Sequence, residues 1–188
     1  LAQAQALLVG AVQIAIPSMN SDVRDALATM DATIRDGSTD SFEHLDLQFA
    51  QSKSGVFDDP LVRQAFLKTV PRTEIVATAL ANVQPRAKPR DSFLFAPGDP
   101  GYRSARSANG SAEYAEPDVA GAKALLAEAG VSQPAVCILY AADDAMRAAE
   151  YALIAESAGA AGFVVTDCSR DDWQETLGTP EAYDAALL

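Results

Sequence analysis

The sequence has few of the residues from which metal sites and nucleophilic active sites are built. Its 188 residues include one histidine, His44, and two cysteines, Cys137 and Cys168. A zinc site with several ligands would therefore need several carboxylates as well. No G-x-S-x-G, G-x-G-x-x-G or G-x-x-x-x-G-K-S/T motif occurs, which argues against hydrolase, dinucleotide and P-loop sites. The sequence predicts no catalytic residue, no metal and no cofactor.

Positive charge and long apolar runs are also scarce. The 14 Lys and Arg residues are outnumbered by 26 Asp and Glu residues, for a net charge of −12. Such a chain repels phosphate backbones, so we predict no nucleic-acid partner. No run approaches the ~18 consecutive apolar residues of a membrane span. The apolar fraction of 49% and the charged fraction of 21% are typical of a globular domain.

The last third of the sequence alternates strands and helices. Strands of nearly continuous apolar character, separated by helices, indicate right-handed βαβ units and a parallel sheet covered on both faces. In chain order, the predicted elements are a helix over Pro117–Ala129 closed by Gly130, a strand over Ala135–Tyr140, a helix from Asp143 or Asp144 to Ala158, a strand over Gly162–Thr166, a helix over Trp173–Leu177 and a strand over Tyr183–Leu188.

The first two thirds are less regular. Glu43–Phe49 alternates apolar and polar residues and predicts a strand whose polar face includes His44. We interpret His44 as a solvent-facing or a hydrogen-bonded polar side chain. The other predictions are helices over Leu1–Leu8, Asp22–Met30, a segment starting at Asp59 and Pro60, and Thr73–Val83; short strands at Ala11–Ile16 and Thr33–Arg35; and a long irregular crossover over residues 84–116, with Ser92–Phe95 extended.

Two features could carry chemistry but have simpler interpretations. The carboxylate pairs Asp58/Asp59, Asp143/Asp144 and Asp171/Asp172 each precede a predicted helix, where capping explains them. Cys137 and Cys168 fall at opposite ends of adjacent predicted strands, roughly 15 Å apart at ~3.3 Å per residue. A disulfide needs Cα atoms within ~7 Å, so we predict two free thiols.

Six motifs in order along the chain resemble those of the extracellular solute-binding proteins of peptide ABC importers, the oligopeptide, dipeptide and nickel class. They are Gly10–Ala15 (G-E-V-D-I in the family), Glu43–Leu47 (Y-E-x-L-x-x-N), Phe57–Phe66 (F-x-D-x-R-V-R-Q-A-L), Arg72–Val76 (D-R-x-x-I-V), Asp118–Gly130 (D-x-x-K-A-K-x-L-L-A-E-A-G) and Tyr183–Leu187 (Y-D-A-x-L). The spacing also resembles actinobacterial members. The chain departs from the family at Ala11, Gln13, Ala50 and Pro71.

The resemblance implies an α/β fold: a lobe like those of type II periplasmic binding proteins, with a mixed, largely parallel sheet flanked by helices. Residues 1–188 would form a single lobe, the C-terminal lobe of a two-lobed protein truncated at both ends. Its implied partners are a peptide or other small solute (dipeptide, oligopeptide, nickel chelate or sugar), ABC permease subunits and the missing N-terminal lobe. Its implied location is extracytoplasmic, as a lipoprotein or a periplasmic protein whose signal segment is not in this chain.

Ligand-facing residues follow from position after the strands, because ligands of open α/β sheets bind at the carboxyl ends of strands. The candidates are Pro17, Ser18 and Met19 after the first strand, Tyr140, Ala141, Asp143 and Met146 after the central strand, and Trp173 with Asp172. With half of the cleft missing, we expect the chain alone to bind peptides very weakly. Two alternatives stay open: an α/β enzyme domain using Asp143 and Asp144, and a protein-interaction domain using Gln84–Glu116.

Overall fold

The computed structural model describes residues 2–17, 21–35, 42–80 and 86–188. Eight α-helices and four strands lie in these ranges: α1 (Ala2–Leu8), α2 (Ser21–Ala28), β1 (Leu45–Leu47), α3 (Pro60–Leu67), α4 (Arg72–Thr78), α5 (Tyr102–Ala108), α6 (Val119–Glu128), β2 (Ala135–Leu139), α7 (Ala145–Ala161), β3 (Val164–Asp167), α8 (Trp173–Thr176) and β4 (Ala185–Leu187). Short 3₁₀ turns occupy Val56–Asp58 and Ser111–Tyr114. None of the described helices is both long and apolar enough to cross a membrane.

The four strands form one mixed sheet in the order β1-β4-β2-β3. Strand β2 pairs in parallel with both β3 and β4, whereas β1 runs antiparallel to β4. The prediction of a mixed, largely parallel sheet is confirmed. Because β1 is reversed, residues before it lie at the same edge of the sheet as residues that follow β2, β3 and β4.

The main core lies on one face of the sheet, beneath α3, α6 and α7. Phe66 packs at 5.2 Å, ring centre to ring centre, against both Phe57 and Phe163. Ile138 of β2 and Ile154 of α7 are buried in the same cluster. A smaller cluster around Leu139 and Tyr183 covers the opposite face.

Asp184 joins β4 to β2 and to the segment before α3. It is 1% exposed. Its carboxylate accepts hydrogen bonds from the Ser54 backbone N–H (2.7 Å), the Ser54 hydroxyl (2.8 Å) and the Cys137 backbone N–H (2.8 Å). Asp184 directly precedes β4, which begins at Ala185. Its side chain therefore accepts the Cys137 N–H, while its own backbone N–H donates to the Cys137 carbonyl at 2.9 Å.

The prediction of two free thiols is wrong: Cys137 and Cys168 form a disulfide, with Cα atoms 5.7 Å apart. The predicted spacing placed the two residues at opposite ends of their strands. Strand β3 instead starts at Val164, and the parallel register sets Cys137 opposite Thr166. Cys168 therefore lies only two residues beyond the partner of Cys137.

Other differences concern segments without a strand partner. Ala11–Ile16 is irregular, and the side chains of Ile14 and Ile16 are exposed. Thr33–Arg35 and Ser92–Phe95 are not strands either. An alternating pattern produces a strand only where another edge accepts its hydrogen bonds. Within 84–116, of which 84 and 85 lie outside the described residues, the structure adds helix α5 and the turn at Ser111–Tyr114.

Two of the three predicted carboxylate caps are confirmed. Asp59 precedes Pro60, the first residue of α3, and its carboxylate accepts the Leu61 backbone N–H at 2.8 Å. Asp144 caps α7. Asp172 makes no capping hydrogen bond to α8, because its carboxylate binds the Arg170 guanidinium at 2.7 Å instead.

Replacing Asp59 by alanine is expected to destabilise the protein by about 1 kcal/mol, the usual cost of losing an N-cap side chain. The measurement is chemical denaturation followed by circular dichroism. Asp59→Asn is the matched control, because an asparagine side chain caps a helix about as well as aspartate. Equal losses in both variants would contradict the capping role.

Candidate functional site

The candidate site is the edge of the sheet where β2, β3 and β4 end and β1 begins, which we call the carboxyl edge. The segments after β2 and β3 are joined there: Ala141 and Arg170 form a parallel bridge, and the Ala142 N–H donates to the Arg170 carbonyl at 3.2 Å. The His44 N–H donates to the Leu188 carbonyl at 3.1 Å, which holds the start of β1 against the end of β4. Segments that are distant in the sequence thus meet at this edge.

A charged cluster at this edge is centred on Arg147, in the first turn of α7; we call it the Arg147 cluster. The Arg147 guanidinium lies 3.4 Å from a carboxylate oxygen of Glu43 and 3.8 Å from one of Asp144. The same guanidinium lies over the ring of Trp173, 5.3 Å from its centre. The Asp144 carboxylate is held in place because it caps α7: it accepts hydrogen bonds from the backbone N–H groups of Met146 (3.0 Å) and Arg147 (3.1 Å).

Glu150 lies one turn further along α7 and is 2% exposed. Burial is the main cause that raises the pKa of its carboxyl group to about 7. The negative charges of Glu43 and Asp144 raise this pKa further, whereas the positive charge of Arg147 lowers it. The group therefore gains or loses its proton close to neutral pH. With Glu150 neutral, the Arg147 cluster holds two negative charges and one positive charge.

An aromatic cluster adjoins the charged one, because Phe42 and Glu43 are consecutive residues; we call it the Phe42 cluster. The Phe93 ring meets the Phe42 ring edge to face at 5.8 Å, and the Arg90 guanidinium carbon lies 4.2 Å from the Phe42 ring centre. Phe93 is 78% exposed, and the neighbouring Leu94 is exposed as well. Residues of the long crossover thus bring apolar surface to the carboxyl edge.

The structure separates the predicted site residues into three groups. Tyr140 and Ala141 are buried; the Tyr140 hydroxyl donates to Asp167 at 2.8 Å, and burial, aided by this hydrogen bond, raises its pKa to about 12. Asp143 is exposed and Met146 is half-buried. They are the sequence neighbours of Asp144 and Arg147, which belong to the Arg147 cluster together with Trp173. Pro17 follows the irregular segment 11–16, and Ser18 and Met19 lie outside the described residues.

Comparison with known families decides which kind of protein carries this edge. Residues 1–187 match the family described as bacterial extracellular solute-binding proteins, family 5, middle region. The chain belongs to this family. This places the chain among solute-binding proteins rather than enzymes, and it confirms the resemblance to the binding proteins of peptide importers. A comparison with curated proteins finds no match.

Solved structures similar to this solute-binding chain include three periplasmic or peptide-binding proteins. DppA from Helicobacter pylori, in complex with peptide STSA, is 19% identical over 100% of this chain and 34% of its own, with a TM-score of 0.63. AppA from Clostridium difficile is 15% identical and aligns over 100% of this chain and 37% of its own, with a TM-score of 0.63. AgaA from A. tumefaciens R10, in complex with agropinic acid, is 26% identical and aligns over 78% of this chain and 28% of its own, with a TM-score of 0.58. The chain therefore spans about a third of the length of these proteins.

The residues that complete the edge in this solute-binding chain were missed by sequence reasoning. Glu43 and Phe42 precede a strand that runs opposite to its neighbour, and only the sheet order brings them to the carboxyl edge. Glu150 did leave a signal: it lies four residues before Ile154 and eight before Ala158, which are both buried. A carboxyl group in the apolar stripe of a helix is rare enough to single out.

Proposed function

We propose that this chain is one lobe of the solute-binding component of an ABC importer. The component captures peptides or similar small solutes outside the cytoplasm and delivers them to permease subunits. The observation that carries this proposal is the family match over residues 1–187. In the proposal, the rest of the protein includes an N-terminal lobe that closes over the carboxyl edge, and the whole is a lipoprotein or a periplasmic protein.

The carboxyl edge offers a ligand two kinds of contact side by side. The exposed ring of Phe93 and the exposed aliphatic side chain of Leu94 provide apolar surface, which suits the side chains of a peptide. The adjoining Arg147 cluster provides carboxylate oxygens from Glu43 and Asp144, which suit ammonium and amide N–H groups. Backbone groups of the ligand would supply further hydrogen bonds when the two lobes close.

The ligands named for the similar structures support the proposal that the ligand is a peptide or a similar small solute. One of these proteins holds the peptide STSA, and another holds agropinic acid. Both ligands are small and polar. We therefore propose a peptide or a comparably small polar solute for this protein.

Replacing Phe93 by alanine is expected to weaken peptide binding by about five- to tenfold, which corresponds to about 1 kcal/mol of lost apolar contact. Because Phe93 is exposed, the substitution should leave the stability of the free protein within about 0.5 kcal/mol. The measurement is isothermal titration calorimetry on the protein with both lobes, titrated with tri- and tetrapeptides.

Phe49→Ala is the matched control for this experiment. Phe49 is another exposed aromatic residue, packed beside the Arg63 guanidinium at 5.0 Å. It follows β1 and so lies at the opposite edge of the sheet. We expect peptide affinity within twofold of the unaltered protein. Equal effects of the two substitutions, or no peptide binding by the two-lobed protein, would contradict the proposal.

A further inference from the structure

Glu150 is a buried carboxyl group with an unpaired oxygen. Its side chain is 2% exposed, and among the described residues its Oε1 atom has no hydrogen-bond partner. It lies on the face of α7 that also carries the buried residues Ile154 and Ala158. An ionised carboxylate is stable in such surroundings only when a cation or several donors face it.

Three charged groups act on Glu150: Glu43, Arg147 and Asp144. Arg147, the positive one, precedes Glu150 by three residues, a spacing that brings side chains together on a helix. In the structure the Arg147 guanidinium is directed to Glu43 and to the Trp173 ring. Glu150 therefore competes with Glu43 for the same cation whenever both carboxylates are ionised.

The elements packed most extensively against α7 are α4, α6 and β3, and the ring of Tyr140, after β2, stacks on Tyr151 of α7. Asp167 of β3 accepts a hydrogen bond from the Tyr140 hydroxyl. The remaining charged residues of these elements are Arg72 and Glu74 on α4 and Lys123 and Glu128 on α6. None of these five groups is among the charges that act on Glu150, so the competition is confined to the Arg147 cluster.

We propose that Glu150 is a positioning residue that makes the placement of Arg147 depend on a proton. When Glu150 is protonated, Arg147 stays between Glu43 and Trp173, as the structure shows. When Glu150 is ionised, it draws the guanidinium away from the Trp173 ring and leaves Glu43 unpaired. Both Arg147 and Trp173 lie at the carboxyl edge, so the proton changes the charge that this edge presents. Only the consequence for ligand binding rests on the proposed function.

Trp173 is the only tryptophan of the chain, so its fluorescence reports directly on the contact with Arg147. We expect the emission of the 188-residue chain to change in one step with a midpoint near pH 7, where the pKa of Glu150 lies. In Glu150→Gln the emission should keep its low-pH value throughout. Glutamine has the shape of protonated glutamate, which favours a folded variant.

Two control variants separate Glu150 from other titrating groups. Glu156→Gln removes an exposed carboxylate from the same helix and should leave the step unchanged. His44→Gln removes the only histidine, whose ring contacts Phe42. The step should survive this change too. A step that persists in Glu150→Gln, or disappears in His44→Gln, would overturn the proposal.

A second measurement needs no variant. Carbon NMR of labelled glutamate carboxyl groups in the unaltered chain should show one group titrating with the midpoint of the fluorescence step. If every glutamate titrates in the ordinary acidic range, the proposal fails. This outcome does not depend on whether any substituted chain folds.

Measurements of peptide affinity distinguish this proposal from the proposed function. Tripeptide affinity of the two-lobed protein, compared at about pH 5.5 and 8.5, should change at least about threefold in the unaltered protein and stay constant in Glu150→Gln. If peptides do not bind at either pH, the proposed function fails while the fluorescence result still decides the role of Glu150. A pH-independent affinity, together with a clear fluorescence step, would overturn the link to binding alone.

Discussion

Replacing Asp184 by alanine is expected to lower the free energy of unfolding by about 3–5 kcal/mol, the largest effect of any single substitution considered for this chain. The carboxylate accepts three hydrogen bonds, from the Ser54 N–H, the Ser54 hydroxyl and the Cys137 N–H. Asp184 is 1% exposed, so water cannot readily replace the lost acceptor. The buried Cys137 N–H left without an acceptor costs about 1–3 kcal/mol, and the two lost hydrogen bonds from Ser54, an exposed residue, add to this loss.

The position of these contacts makes the loss larger than for an ordinary buried carboxylate. The Cys137 N–H belongs to the central strand β2, and the Asp184 N–H donates back to the Cys137 carbonyl at 2.9 Å. Asp184 thus pairs with Cys137 through both its side chain and its backbone, at the start of the β2–β4 ladder. We therefore expect removal of the side chain to weaken the pairing between β2 and β4.

Urea denaturation followed by circular dichroism measures the effect of Asp184→Ala. Asp184→Asn keeps one acceptor oxygen and should lose about half as much stability. Asp171→Ala, which removes an exposed aspartate, should change stability by no more than about 0.5 kcal/mol. A loss below about 1 kcal/mol in Asp184→Ala would contradict the role assigned to this carboxylate.

The elements that the sequence predicted accurately carry strong local signals. Helix α7 begins after Asp144, as predicted; it ends at Ala161, three residues beyond the predicted end at Ala158, and the φ of +107° at Gly162 permits the left-handed cap. Strand β2 agrees with its predicted bounds within one residue, because an apolar run of that length is buried on both faces. Helix α3 begins at Pro60, as the capping aspartate before it predicted. In these cases local chemistry and tertiary packing favour the same structure.

The predictions that failed depend on which strands pair and in which register. Ala11–Ile16 has the pattern of a strand, but the described residues provide no neighbour for it. The cysteine separation was misjudged because the register between β2 and β3 follows from packing, not from strand ends. Even a shift of two residues moves a side chain by about 7 Å along a strand, which is enough to reverse a disulfide prediction.

The candidate site was only half visible in the sequence for the same reason. Asp143, Met146 and Trp173 follow elements whose order is readable. Asp143 and Met146 adjoin Asp144 and Arg147 in the sequence, and the Trp173 ring contacts Arg147. Phe42 and Glu43 reach the carboxyl edge because β1 is antiparallel. Sequence patterns alone do not reveal the direction of an edge strand joined through a long connection.

Removing the Cys137–Cys168 disulfide is expected to destabilise the chain by about 3–4 kcal/mol, on the chain-entropy estimate. The bond joins residues separated by 31 positions, so it restricts a sizeable loop in the unfolded chain. It also ties the central strand β2 to the segment after β3, at a place where the Lys53 ammonium group lies 3.7 Å from the Cys137 sulfur. Reduction should therefore loosen the edge strand β3 before the rest of the sheet.

Guanidinium denaturation with and without a reductant measures this contribution, and Cys137→Ala/Cys168→Ala provides the control. The unaltered chain should lose stability on reduction, whereas the double variant should start at the lower stability and not respond to the reductant. Thiol titration of the denatured, unreduced protein should find no free thiol; two free thiols would contradict the disulfide. Disulfides persist mainly in oxidising compartments. The absence of free thiols in this titration would therefore agree with a protein that works outside the cytoplasm, where the family description places its members.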